Sequence, residues 1–357
     1  MKNVVKILII VVIISLFSVP AAASEADKYL EEFGGILPDG YSDVADSPEK
    51  LAEAVGLRAL LSELGAALEG RRGEIFAFFL LSLGCAVLVA VASFSDGAIT
   101  KHSARGVGII CTLTLFTSLF FLFSETKGAL GEMSTFFSAA LPILLTVTAA
   151  SGGAATATVG AVGMNITLAL VGSVGSSVFA LVAALSFAFS LISSLGGEGI
   201  SSIVRGLKSF FTWALGITTA LLMGTLALQT VISSASDSMA MRTAKYMASG
   251  MIPVVGGTVS GALSTLLSGL EYAGSVIGIG SVLVIVSIAL APLAVLLLYR
   301  FALSLSVSLL EFVGVGSGKE PFCAFRYSLD TLIAAYCISA MVYIFEIILF
   351  LKGGVRA

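Results

Sequence analysis

Four charged side chains stand in or beside long apolar stretches of this chain: Arg242, Lys245, Glu311 and Glu346. An ionisable group in such surroundings is costly unless it is paired, hydrated or neutralised, so each is a candidate for handling ions, protons or polar solutes. Glu346 falls inside the last apolar run. There it could serve as an interhelical hydrogen-bonding group or protonated carboxyl, or it could handle a proton or a substrate. Arg242 and Lys245 are three apart and share a helix face, with Asp237 a neighbour at the helix start. They could form an anion-attracting vestibule or a docking surface, or anchor topology on the cytoplasmic side. Arg300 and Glu311 share a face if their helix is unbroken, since eleven residues make about three turns.

Backbone chemistry offers a second set of candidates: Pro142, Gly152 and Gly153, then Pro253, Gly256 and Gly257. A bilayer core has no water to satisfy peptide groups freed by Pro or Gly-Gly, so a broken helix there must be buried in protein or line an aqueous cavity. Glycine also permits positive φ and close backbone approach, which suits a hairpin tip facing a cavity. Each set is therefore a candidate pathway or hinge. Small residues at close helix contacts would give a similar pattern.

Catalytic readings lack parts. His102 is the sole histidine, which leaves His-based metal sites and Ser-His pairs incomplete. The run Gly257-Thr258-Val259-Ser260-Gly261 is faintly similar to intramembrane serine proteases, but it lacks a glycine two before Ser260. No Walker-type phosphate loop occurs. No enzyme activity, cofactor or metal is expected. Cys85, Cys111, Cys323 and Cys337 lie in or beside apolar runs and read as buried free thiols.

The elements that must position these residues follow from composition. With 57% hydrophobic and 11% charged residues and a mean hydropathy of +1.06, the chain has too little polar surface to close around a water-soluble core. It reads as an all-α polytopic membrane protein of about six or seven transmembrane helices, with two Pro/Gly-Gly broken hairpins. Residues 1–23 carry Lys2 and Lys6, an apolar run and Ala21-Ala22-Ala23, the pattern of a signal peptide. Half of the 22 acidic residues fall between Glu25 and Glu69, so residues 24–74 read as an exported acidic helical segment with no nucleic-acid surface. Ser47-Pro48-Glu49 suits a helix start. Leu51, Val55, Leu61, Leu64 and Leu68 then form an apolar face that could rest on the membrane, a partner or the chain's own helices.

The polytopic domain covers 75–357. Spans are expected at 75–94, 106–123, within 165–195, at 211–233 and 275–299, with a helix at 301–315 and a last span at 329–351. Residues 199–210, with Arg205 and Lys208, read as a charged connector. Pro142 and Pro253 lie 111 residues apart, which suggests repeat halves at 75–176 and 177–316. Paired discontinuous segments in matching halves are the best sequence pointer to a transport site.

The runs LPILLTVTAASGG at 141–153 and MRTAKYMASGMIPVVGG at 241–257 closely resemble the stage III sporulation protein AE family of endospore-forming bacteria. The layout is similar over most of the chain, and these two runs carry the specificity. The resemblance implies a non-enzymatic subunit of the channel, or feeding tube, that joins mother cell and forespore. It places the protein in the mother-cell membrane surrounding the forespore, with the N-terminal segment on the exported side. Implied partners are the other stage III sporulation operon proteins, including an ATPase subunit, and stage II sporulation protein Q, besides membrane lipid; a homo-oligomer is open. Where the family pattern often carries acidic residues after the second Gly-Gly, this chain has Thr258, Ser260, Ser264 and Thr265, so no cation-coupling carboxylate is expected there. Two further readings are an autonomous secondary transporter or permease, and a membrane scaffold without a pathway.

Overall fold

Long runs that are apolar on every face can fold in a membrane only if each backbone amide is bonded within its own segment, and these runs are helical. The computed structural model describes residues 26–37, 57–93, 98–173, 177–194, 200–251, 256–315 and 318–354. Among them are nine α-helices: α1 Ala26–Gly34, α2 Leu57–Gly70, α3 Arg72–Ser93, α4 Ala98–Ala150, α5 Ala154–Ser173, α6 Phe179–Ser194, α7 Ile200–Met251, α8 Gly256–Phe312 and α9 Glu320–Gly354. Six helices are long and apolar enough to cross a bilayer. The fold is that of an all-α polytopic membrane protein.

Three helices are far longer than expected. α4, α7 and α8 run for 53, 52 and 57 residues, whereas a hydrocarbon core of about 30 Å needs only about 20. The expected break at Pro142 is absent, because Pro142 lies inside α4. Proline removes one amide donor, the one that would have bonded the Ser138 carbonyl, and the helix carries that loss and continues to Ala150. The stretch after residue 123, where the expected span ends, and most of the connector at 199–210 are also helical, and the separate helices expected at 275–299 and 301–315 are one element with Pro292 inside it.

Cross-helix ion pairs explain why the chain passes through its polar stretches without unfolding. Glu125, midway along α4, pairs with Arg71 at the α2–α3 turn. Asp330 of α9 pairs with both Lys208 of α7 and Arg300 of α8. The Tyr299 ring stacks on Phe78 of α3 with centroids 4.0 Å apart. These contacts form a charged tier, with apolar helix extending from it in both directions.

The N-terminal helices rest on the chain's own membrane helices. Phe33 of α1 is buried against Gly280 of α8, where an added Cβ would come within 2.8 Å of the ring. Leu68 of α2 packs on the same core. Residues 1–23, where a signal peptide is expected, and Ser47-Pro48-Glu49, Leu51, Val55 and Pro253 lie outside the described residues.

Candidate functional site

α4 must end where Gly152 takes φ +98°, a left-handed backbone that a side chain disfavours. The Gly153 amide donates to the Thr148 carbonyl at 2.9 Å and the Gly152 amide to Ala149 at 3.2 Å. This is a Schellman ending, which satisfies the last carbonyls of the helix. The Met241 methyl of α7 fills the space beside Gly152.

α5 starts at once, and its N-cap position is Gly153, whose carbonyl accepts the Ala157 amide at 2.8 Å. Glycine has no side chain to accept the next free amides. Asp237 of α7 supplies the acceptor instead: Oδ1 takes the Ala155 amide at 2.9 Å and Oδ2 takes the Thr156 amide at 2.8 Å. The carboxylate is buried, so both the amides and the positive end of the α5 dipole compensate its charge. Thr156 also donates to the Ser233 hydroxyl at 3.4 Å.

The same three-helix group holds Glu346. Ala155 and Thr156 face Asp237 while Gly163 faces Leu226, so α5 runs antiparallel to α7. Arg205 meets Tyr327 and Lys208 meets Asp330 at the same chain separation of 122 residues, so α7 and α9 run parallel. A Cβ on Gly163 would lie 2.7 Å from Leu226 and 3.0 Å from the Glu346 carboxylate. Gly163 thus lets α5 approach α7 and α9 closely where Glu346 is buried.

Two openings flank this contact. A cleft of about 270 Å³ is lined by Leu170, Ser173, Thr218, Thr219, Ser339 and Val342. A crevice of about 20 Å³ lies among Thr148, Ser151, Glu271, Ser275 and Phe350, with room for about one water. Val342 and Phe350 stand one helical turn before and after Glu346.

At the charged tier, the Arg205 Nε donates to the Tyr327 hydroxyl at 3.1 Å, and Arg205, Lys208 and Arg326 lie 5.2, 5.4 and 5.2 Å from the Tyr327 ring centroid. The family model of stage III sporulation protein AE matches residues 48–354 of this chain. The chain belongs to the stage III sporulation protein AE family. It is also similar to the stage III sporulation protein AE of Bacillus subtilis (strain 168), with 23% identity over 350 residues that span 94% of this chain and 87% of that one. No solved structure matches. Membership gives the protein a role in sporulation and, with its apolar helices, identifies it as an integral membrane protein. A helical membrane member of a sporulation family also suggests a non-enzymatic part.

Within this family member the sequence candidates separate. Gly152, Gly153 and Glu346 belong to the α5–α7–α9 group just described. Gly256 and Gly257 open α8, so the second pair also stands at a helix boundary. Arg242 is exposed on α7, and the side chain of Lys245 lies outside the described residues. Asp237 is not at a helix start beside Arg242, since it lies well inside α7 and reaches across to α5. Arg300 and Glu311 have different partners: Arg300 pairs with Asp330, while Glu311 accepts from Lys319 at 2.8 Å. That hydrogen bond holds the Lys319 ammonium above the usual lysine range. The Cys111 thiol points at the Cys85 carbonyl at 3.8 Å, and all four cysteines are free. Asp330 went unnoticed in the sequence. A lone Asp just inside the last apolar run, together with the Arg205 and Lys208 pair, was the available signal.

Proposed function

We propose that this protein is the integral membrane subunit of the complex that joins mother cell and forespore, and that it forms or gates a route across the mother-cell membrane. The observation that carries this reading is the α4–α5 break. Its freed amides are held by a buried carboxylate from a third helix, as expected where irregular backbone serves a pathway through protein and not a lipid contact. Gly256 and Gly257, which open α8, support a second element of the same kind at the α7–α8 boundary. Residues 24–74 lie on the exported side in this reading, after removal of residues 1–23. The apolar face of α7, including Trp213, Leu221, Leu228 and Val231, is exposed and available to lipid or to partner subunits. Those partners are the other stage III sporulation operon proteins, an ATPase among them, and stage II sporulation protein Q.

The test replaces the native protein of its sporulating host with variants of this chain. Gly152→Val and the Gly256→Val, Gly257→Val pair should insert in the membrane yet fail to support spore formation. Single cysteines at Thr148, Ser151 and Ser339 should react with a polar thiol reagent in the assembled complex. Full spore yield from the glycine variants, with no labelling, would overturn the route. Solute uptake by the purified chain alone in liposomes would instead favour an autonomous transporter.

A further inference from the structure

Glu346 is 5% exposed, in the interior of the last span, and its Oε2 has no hydrogen-bond partner. The Thr167 hydroxyl, which faces it from α5, is also unpartnered, as is the Tyr343 hydroxyl one turn earlier on α9. Three buried oxygens without partners at one helix contact are costly, and an isolated carboxylate there costs far more than a hydroxyl. Among the described residues Glu346 has no ion-pair partner, and the titratable group α8 brings to this region is Glu271, at the smaller crevice beside Phe350. α5 presents Gly163 and Thr167, and α7 presents Leu226. α4 presents Phe137, whose ring lies 4.7 Å from that of Tyr343, and Ser134, which faces the Tyr343 phenol. The other carboxylate of the group, Asp237, is engaged by the α5 amides. Tyr343 is the one titratable group among these that faces Glu346.

The position of the carboxyl between openings gives this burial a direction. One helical turn, about 6 Å of rise, separates Glu346 from Val342 in the larger cleft and from Phe350 in the smaller crevice. Both openings are lined mainly by apolar side chains, among which Ser173, Thr218, Thr219 and Ser339 in the first and Thr148, Ser151 and Ser275 in the second present hydroxyl oxygens that can accept from water.

We propose that Glu346 is a proton-exchange site linking the two openings. A hydronium in one cleft gives a proton to the carboxylate, forming an O–H bond and leaving water. The carboxyl then gives that proton to a water in the other, restoring the carboxylate and a hydronium. The Thr167 and Tyr343 hydroxyls, unpartnered in the structure, are the groups that would donate to the carboxylate when it forms. This function stands whether or not the chain also passes a solute.

The full-length chain, purified and reconstituted, decides the matter by infrared difference spectroscopy. Stepping from about pH 5 to about pH 9, a range that spans buried carboxyl titrations, should remove a protonated-carboxyl stretch and produce a carboxylate band. Glu346→Gln should lose both, and Glu346→Asp should keep them at a shifted frequency. Thr167→Val should move the midpoint and leave the bands. In liposomes with an interior pH dye, an imposed potential should drive proton entry that Glu346→Gln abolishes and Glu346→Asp partly restores. A carboxyl band that does not respond to pH, a band that survives in Glu346→Gln, or titration without proton entry would each overturn the proposal. Circular dichroism and thermal unfolding identify a misfolded variant, and Thr167→Val then carries the comparison.

Discussion

Thr156 and Asp237 lie 81 residues apart in the chain, yet the Thr156 amide donates to Asp237 Oδ2 at 2.8 Å. With the Ala155 amide on the other oxygen, one side chain of α7 does for α5 what a local cap residue ordinarily does. Asp237→Ala should therefore leave two amides unsatisfied and lower stability by roughly 2–4 kcal/mol. Asp237→Asn retains one acceptor and should cost about 1 kcal/mol. Thermal unfolding in detergent should rank the proteins wild type, Asn, Ala, and equal melting temperatures would refute the capping role.

Gly152 makes the corner that brings this amide pair to Asp237. Its φ of +98° and the Met241 methyl beside it oppose a side chain for separate reasons. Gly152→Ala should cost about 1–2 kcal/mol from backbone strain alone, with a steric contribution in addition. Met241→Ala in the same chain should recover the steric part and leave the strain. A double-mutant cycle in thermal unfolding measures that coupling directly.

Asp330 holds Lys208 and Arg300 at once, and the two cations are 30% and 33% exposed. Removing it leaves two like charges facing each other. Because solvent screens both, Asp330→Ala should cost about 1–3 kcal/mol, less than for a fully buried network. Lys208→Ala or Arg300→Ala alone leaves Asp330 one partner and should cost less. Melting temperatures at low and high salt test this, with the Asp330→Ala deficit narrowing as salt screens the repulsion.

The same ion pairs explain which parts of the fold were legible in the sequence. Hydropathy placed a span at 75–94, and α3 runs from Arg72 to Ser93, because an uninterrupted apolar run has one physical outcome in lipid. Hydropathy ends the second expected span at 123 and makes 199–210 a charged connector. Charge ends a helix in hydropathy, but it does not break one in three dimensions when Glu125 finds Arg71 and Lys208 finds Asp330. Gly152 and Gly153 were legible because a doublet of glycines has a backbone meaning. Pro142 misled, since a helix can carry proline without breaking. Glu346 stood out as a carboxyl in an apolar run, whereas the role of Asp237 could not be read: its partners are backbone amides, which leave no mark in a sequence.

Gly163 is where helix packing and the buried carboxyl meet, and it separates the two. A methyl there would come within 2.7 Å of Leu226 and 3.0 Å of the Glu346 carboxylate. Gly163→Ala should therefore lower stability by about 1–3 kcal/mol through overpacking. Shortening Leu226 to Ala in that background should relieve the apolar collision but leave the methyl against the carboxylate oxygen, so recovery should be partial. Adding Glu346→Ala as a third change should remove the remainder of that contact. If Leu226→Ala alone restores the full melting temperature, the carboxyl does not constrain the approach of α5, and the close contact is one of hydrocarbon only.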